Sequence, residues 1–230
     1  MYYVNQEVIK VMKILKFGGT SVETPERIFQ VIHILERYIK KEEEICAVFS
    51  AFAGVTDRLI ETGKMAEKGD INYIELLKSL KERHINTADT LTGHTGSIFS
   101  VIDNMFQELG NVLHGVYLIK ELSPRTLDFI MSFGERLSAS IISEALQTAH
   151  IENEYLDARP VIKTDNNFGN GKVNQELTDT LIKDYFQSHR KLQIITGFIA
   201  STEHNETTTL GRGGLTTVHP YLHRPLEQRK

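Results

Sequence analysis

Residues 11–17, Val-Met-Lys-Ile-Leu-Lys-Phe, are β-rich and alternate apolar with polar positions before stopping at Gly18-Gly19, which predicts a strand running into a tight loop. Thr24-Pro25-Glu26 then supplies a cap, a first-turn proline and an early acid, and Ile28, Val31, Ile32, Leu35 and Ile39 recur at helical spacing. Ile-Cys-Ala-Val-Phe at 45–49 is an unbroken apolar run, as in a strand covered on both faces, and 50–56 is the loop after it. The three elements predict a βαβ unit with its loops on one edge. Residues 56–68, 71–91, 97–122 and 127–149 all carry apolar side chains three and four apart, the last behind a Ser123-Pro124 start. Short strands are expected at 154–156 and 161–163, a helix at 176–188, and one buried strand over 192–199. Such alternation predicts an α/β protein, a three-layer αβα sandwich with a mainly parallel sheet. There is no internal repeat and no low-complexity linker.

Composition narrows the function. The 230 residues are 40% hydrophobic with a formal net charge of -4, and the basic residues are scattered. That leaves no footprint for nucleic acid or an anionic membrane, so small-molecule ligands are expected. Cys46, the single cysteine, lies in the 45–49 run, which predicts a buried thiol in a reducing cytosol. No run approaches the roughly 20 apolar residues of a membrane span, and the expected location is cytoplasmic. Residues 1–12 add no pattern that the first strand needs and read as an N-terminal extension, with Met12 an alternative start.

In open α/β sheets ligands collect at the carboxyl ends of the strands, where three loops qualify: 16–21, 50–57 and 207–214. Lys16-Phe17-Gly18-Gly19 suits a phosphate, because two glycines let backbone N–H groups approach an anion and the lysine adds a mobile positive charge. The alternative is a plain turn. Ser50 and Thr56 are candidate donors to a carboxylate, and Thr56 is equally a cap for a helix starting at Asp57. Glu135 follows a mid-helix glycine, Gly134, which implies close approach by another backbone or a ligand; the alternative is a surface acid, or one paired with Arg136 or Arg125. Arg212, flanked by Gly211, Gly213 and Gly214, offers a planar fork of donors to a carboxylate. The nine histidines show no ligand spacing, so no protein-bound metal site is assigned.

Together these motifs resemble aspartate kinases, enzymes of the amino-acid-kinase fold. Lys16-Phe17-Gly18-Gly19-Thr20-Ser21-Val22 resembles their amino-terminal signature, Ser50-Ala51-Phe52-Ala53-Gly54-Val55-Thr56-Asp57 their second loop, Phe133-Gly134-Glu135-Arg136-Leu137-Ser138 their helix motif, and Thr207-Thr208-Thr209-Leu210-Gly211-Arg212-Gly213-Gly214 their third loop. The resemblance implies ATP-dependent phosphorylation of the L-aspartate side chain to 4-phospho-L-aspartate, with Mg2+ carried by the nucleotide. It implies that Lys16, with Phe17, Gly18 and Gly19, holds the transferring phosphate, and that Ser50 and Thr56 orient aspartate. Glu135 would receive its ammonium group, and Arg212, with Gly213 and Gly214, its α-carboxylate.

The resemblance stops after Gly214. The family continues Gly-Arg-Gly-Gly-Ser-Asp-Tyr into a helix, whereas Leu215-Thr216-Thr217 stands here, followed by a tail with Pro220 and Pro225 and no helical period. Residues 215–230 are therefore expected to be a disordered tail, and the fold to be incomplete on its C-terminal side. TCTGACTACAGTGCAT encodes Ser-Asp-Tyr-Ser-Ala, and without its first base it encodes Leu-Thr-Thr-Val-His, the residues at 215–219; resequencing the coding DNA tests whether one base has been lost. A half-domain exposes a sheet edge and helix faces, so self-association or poor solubility is expected. The alternative to an active kinase is a non-catalytic fragment or binding module. A third reading, a kinase for another acid such as glutamate, fits Thr56, Glu135 and Arg212 less well.

Overall fold

The alternating segment forms β1 (Lys13–Phe17), which lies parallel to β2 (Ile45–Phe49) with Lys13 opposite Ile45 and Phe17 opposite Phe49. Between them runs α1 (Pro25–Ile39), which starts where its sequence signals place it. The Thr24 hydroxyl accepts from the Arg27 N–H, and Pro25 needs no partner for the donor it lacks. The computed structural model describes residues 12–211; residues 1–11, Arg212, Gly213, Gly214 and the 215–230 tail lie outside them.

Four helices follow: α2 (Val55–Glu67), α3 (Tyr73–Thr92), α4 (Ile98–Ile119) and α5 (Pro124–Thr148). The last begins at Ser123, whose Oγ accepts from the Thr126 N–H at 3.1 Å. Then come β3 (Asn153–Leu156), β4 (Lys163–Thr164), α6 (Gln175–Ser188), β5 (Leu192–Thr196), β6 (Ile199–Thr202) and β7 (Thr207–Thr209). β1, β2, β5 and β3, in that order, make an all-parallel sheet. β4, β6 and β7 make a second, smaller sheet, in which β6 and β7 are antiparallel.

The period of two explains how the layers assemble. Ile45, Ala47 and Phe49 of β2 face a core shared with α1 to α5, while Cys46 and Val48 face a second core built with α6 and the small sheet. Both faces of β2 are thus covered, and all five of its side chains are buried. This is the expected α/β arrangement of helices around a mainly parallel sheet. Helix α5 is its central post: Ile130, Phe133, Leu137, Ile141 and Ile142 are each no more than 1% exposed, and burial of each is worth roughly 1.5–3 kcal/mol.

Two expectations about strands need correction. The apolar run 192–199 is two strands in two different sheets, because the chain turns at Gly197-Phe198, where Phe198 takes a φ of 59°. Strand pairing near 161–163 starts only at Lys163: the N–H groups of Val161 and Ile162 both turn back to the Ala158 carbonyl, at 3.1 and 2.8 Å.

Gly134 shows why α5 tolerates a glycine. A Cβ there would lie 2.8 Å from the Ala51 Cβ, so the 50–54 loop rests directly on the helix. Gly134→Ala is expected to destabilise the chain by about 1–3 kcal/mol in urea unfolding, as overpacking outweighs the roughly 1 kcal/mol of helix propensity that alanine adds. Unchanged stability would show that the loop can retreat at no cost.

Candidate active site

The carboxyl ends of β1, β2 and β5 are stitched to one another. The Ser50 N–H donates to the Phe17 carbonyl at 3.1 Å, and the Gly197 N–H to the Phe49 carbonyl at 2.8 Å. The Phe17 and Phe49 rings stack beneath, 5.1 Å apart. The loops after these strands are thereby held at one edge of the sheet, where the topology places a ligand.

Ala51 is the meeting point. Its carbonyl would lie 2.9 Å from a Cβ on Gly19, its Cβ fills the notch left by Gly134, and its N–H donates to Glu135 Oε1 at 3.3 Å. Ser138, one turn further along α5, donates from Oγ to the Ser50 carbonyl at 2.8 Å. Arg83 of α3 ties the first two loops together, donating to the Ala53 carbonyl at 2.9 Å and the Glu23 carbonyl at 3.4 Å. Gly19, Ser50 and Glu135 thus converge on Ala51 and its neighbours, and Lys16 of β1 is exposed.

Gly18 differs from Gly19 in an informative way. Its φ of -74° is ordinary, and nothing lies within 4 Å of where its Cβ would be. The fold itself does not require glycine there, and the open space leaves its backbone accessible from outside, as a phosphate would need. The residues present fit a nucleotide's phosphates on that ground.

Thr56 does not cap its helix. Helix α2 starts at Val55, two residues before the Asp57 start that a Thr56 cap requires, with Gly54 at the cap in a left-handed conformation (φ 75°) and no side-chain cap bond. Thr56 lies in the first turn, half-buried.

Glu135 is not at the surface, and among the described residues nothing ion-pairs with it. It is 2% exposed, while Arg136 pairs with Glu108 at 3.0 Å over the Phe133 ring and Arg125 pairs with Glu206 at 2.6 Å. Oε1 has the Ala51 N–H, but Oε2 is buried without a partner. Burial pushes this carboxyl up to about 8, against the opposing pull of the backbone N–H groups of Ala51 and Glu135. A buried acid with one oxygen unsatisfied, and with no ion pair to any described residue, is a candidate functional group. Cys46 lies apart from this site, its thiol buried and pushed up to about 12, and is structural.

Another buried acid, outside the expected set, lies on the same helix. Asp128, two turns before Glu135 on α5, binds Thr209 of β7, and the β7 segment 207–209 is a strand rather than part of a loop. An acid between Leu127 and Ile130 in an otherwise apolar stretch was the available signal for it. Among the described residues no group of three or more His, Cys, Asp or Glu side chains is placed to hold a metal ion, and no helix is long and apolar enough to cross a membrane.

Known proteins are similar to this chain in sequence and in fold. The chain is 33% identical over 210 residues to the chloroplastic aspartokinase 1 of Arabidopsis thaliana and 32% identical over 205 residues to the aspartokinase of Chlamydia muridarum. These alignments cover 87% and 89% of this chain but 36% and 43% of the relatives. A crystal structure of E. coli aspartokinase III in complex with aspartate and ADP superposes with a TM-score of 0.80 at 25% identity, over 92% of this chain and 46% of that one. The chain therefore spans less than half the length of each. The family model described as "Amino acid kinase family" matches residues 12–220, nearly the whole chain and every loop of the assembly around Ala51. The chain belongs to the amino acid kinase family.

Proposed function

We propose that residues 13–214 are the N-terminal part of an aspartate kinase domain, the part that binds L-aspartate and the transferring phosphate. One observation carries the reading: the buried Glu135 carboxyl, unsatisfied at Oε2, at the point where the strand-end loops converge. An ammonium group would give Oε2 a donor and the ionised carboxylate a counter-charge. The bound aspartate and ADP of the E. coli relative agree with such a substrate pair.

In this reading Glu135 receives the ammonium group, Arg212 with Gly213 and Gly214 the α-carboxylate, and Ser50 and Thr56 orient the side chain. A side-chain carboxylate oxygen then attacks the γ-phosphorus of ATP, the bond to the bridging oxygen breaks, and ADP and 4-phospho-L-aspartate result. Lys16 with the amides of Gly18 and Gly19 neutralises charge on the phosphoryl group in flight, since such transfers depend on positioning and electrostatics. Mg2+ would come with the nucleotide and would supply further positive charge to its phosphates. The product is the first intermediate of lysine, threonine and methionine biosynthesis.

A second reading is a binding module without turnover. Calorimetric titration with L-aspartate and a coupled assay of aspartate-dependent ADP formation separate the two. Saturable aspartate binding is expected in both; turnover selects the kinase, and absence of binding overturns the proposal.

A further inference from the structure

Arg83 of α3 holds two of the strand-end loops at once, and the proposed chemistry gives it no role. Its Nη1 donates to the Ala53 carbonyl at 2.9 Å and its Nη2 to the Glu23 carbonyl at 3.4 Å. The side chain is half-buried. The next residue, His84, grips the same 50–54 loop from inside the core. It is 0% exposed, its ring stacks on Phe52 at 5.3 Å, and it packs edge-on to Phe106 of α4 at 5.5 Å. The Leu80 carbonyl, 2.7 Å from His84 Nδ1, fixes the ring. Two consecutive residues of one helix therefore seize two consecutive residues of that loop.

The loops that Arg83 joins also touch each other. A Cβ on Gly19 would lie 2.9 Å from the Ala51 carbonyl and 3.4 Å from the Ala53 nitrogen, so the 18–24 loop has no room to move towards its neighbour. Contact blocks movement one way, and the two charge-assisted bonds of Arg83 resist separation the other way. Each loop is tied to a feature that points to a ligand. Beside Gly19, the Gly18 backbone is open to the outside, with nothing within 4 Å of its Cβ position. On the 50–54 side, the Ala51 N–H holds Oε1 of the 2%-exposed Glu135, whose Oε2 is buried without a partner.

We propose that Arg83 is a positioning residue of the site: by locking the 18–24 loop to the 50–54 loop it fixes the Gly18 backbone relative to Glu135, and so the separation of a bound phosphate from a bound ammonium group. The inference rests on the reading of the site as one for aspartate and phosphate. A guanidinium suits the task because its planar fork spans carbonyls on two different segments, which a single ammonium does not. A purely stabilising side chain would lower stability and leave the affinities of the folded chain alone. Arg58 supplies the comparison, since its bond to Ser79 Oγ at 3.3 Å ties α2 to α3 rather than loop to loop.

The test is calorimetric titration of L-aspartate, and separately of inorganic tripolyphosphate in place of the nucleotide's phosphates, into the 230-residue chain and three variants, each also followed by thermal unfolding. Arg83→Met keeps the apolar stem and removes both bonds, and a weakening of about tenfold for each ligand is expected while the chain remains folded. Arg83→Lys can reach one carbonyl but not both, and a weakening of about threefold is expected. Arg58→Met deletes a bond of the same kind between helices, and the parent's affinities are expected. A folded Arg83→Met chain with the parent's affinity for either ligand overturns the inference, as does an Arg58→Met chain weakened as much. Should Arg83→Met not fold, Arg83→Lys decides, and parental affinities there overturn it. A parent that does not bind aspartate, or does not bind tripolyphosphate, overturns that half of the site reading and this inference with it. A parent that binds both, with Arg83 variants of parental affinity, overturns this inference alone.

Discussion

Glu135→Gln is expected to weaken L-aspartate binding by about a hundredfold while leaving the fold standing. Glutamine retains a carbonyl oxygen for the Ala51 N–H, which reaches Glu135 Oε1 at 3.3 Å, so the contact between the loop and α5 survives. The buried, unpartnered Oε2 becomes an NH2, which turns an acceptor for the substrate's ammonium into a second donor facing it. Losing a desolvated charge pair costs roughly 2–5 kcal/mol, and a hundredfold in affinity is about 2.7 kcal/mol. Stability is not expected to fall, since at neutral pH the native chain already holds this carboxyl uncharged and glutamine is its neutral isostere. Calorimetry with L-aspartate, alongside thermal unfolding, measures both. Parental affinity in a folded variant would remove Glu135 from the substrate site.

Much of this architecture is legible along the chain, for reasons that differ by element. β1, α1 and β2 follow from a period of two, a capped period of 3.6 and an unbroken apolar run, all set by local geometry. The chain turn at Gly197-Phe198 is not legible, because apolar residues continue on both sides and only the left-handed backbone of Phe198 breaks the strand. Thr56 looks like a cap because it is a good one, but Gly54 reaches the cap position in a conformation that threonine would resist, and the helix starts before it. The sequence places Glu135 beside a glycine and no more. Whether that acid faces water or the core depends on Ala51 descending into the notch at Gly134, an encounter between residues 83 positions apart. Asp128 is harder still, since its partners, Gly169 and Thr209, lie on a loop and a strand that no local pattern connects to it. Arg212, Gly213 and Gly214 remain expectations of the motif, beyond the described residues.

L-Aspartate affinity is expected to rise about tenfold per pH unit from roughly pH 6 to 8 and then to level off, while the ligand-free chain loses stability over the same interval. Both follow from one carboxyl. Only ionised Glu135 pairs with an ammonium group, and burial holds its pKa at about 8, so below that pH binding must first expel a proton. The stability effect has the opposite sign. Unfolded, the group titrates near its ordinary value of about 4.3, so at lower pH both states are protonated and the contribution is fully present. As pH rises from there towards 8 the unfolded chain has released a proton that the native chain keeps, and stability falls by about 1.4 kcal/mol per unit; above 8 both states are ionised and the slope ends. Glu135→Gln removes this group's slope, so the difference between parent and variant isolates it from every other titrating side chain. Saturating aspartate should flatten the parent's curve as well, because it supplies the cation that the buried carboxylate lacks. Urea unfolding from pH 5 to 8, with and without aspartate, reads these curves directly. Parallel curves for parent and variant would mean that Glu135 is already ionised in the native chain, with a counter-charge that the fold provides.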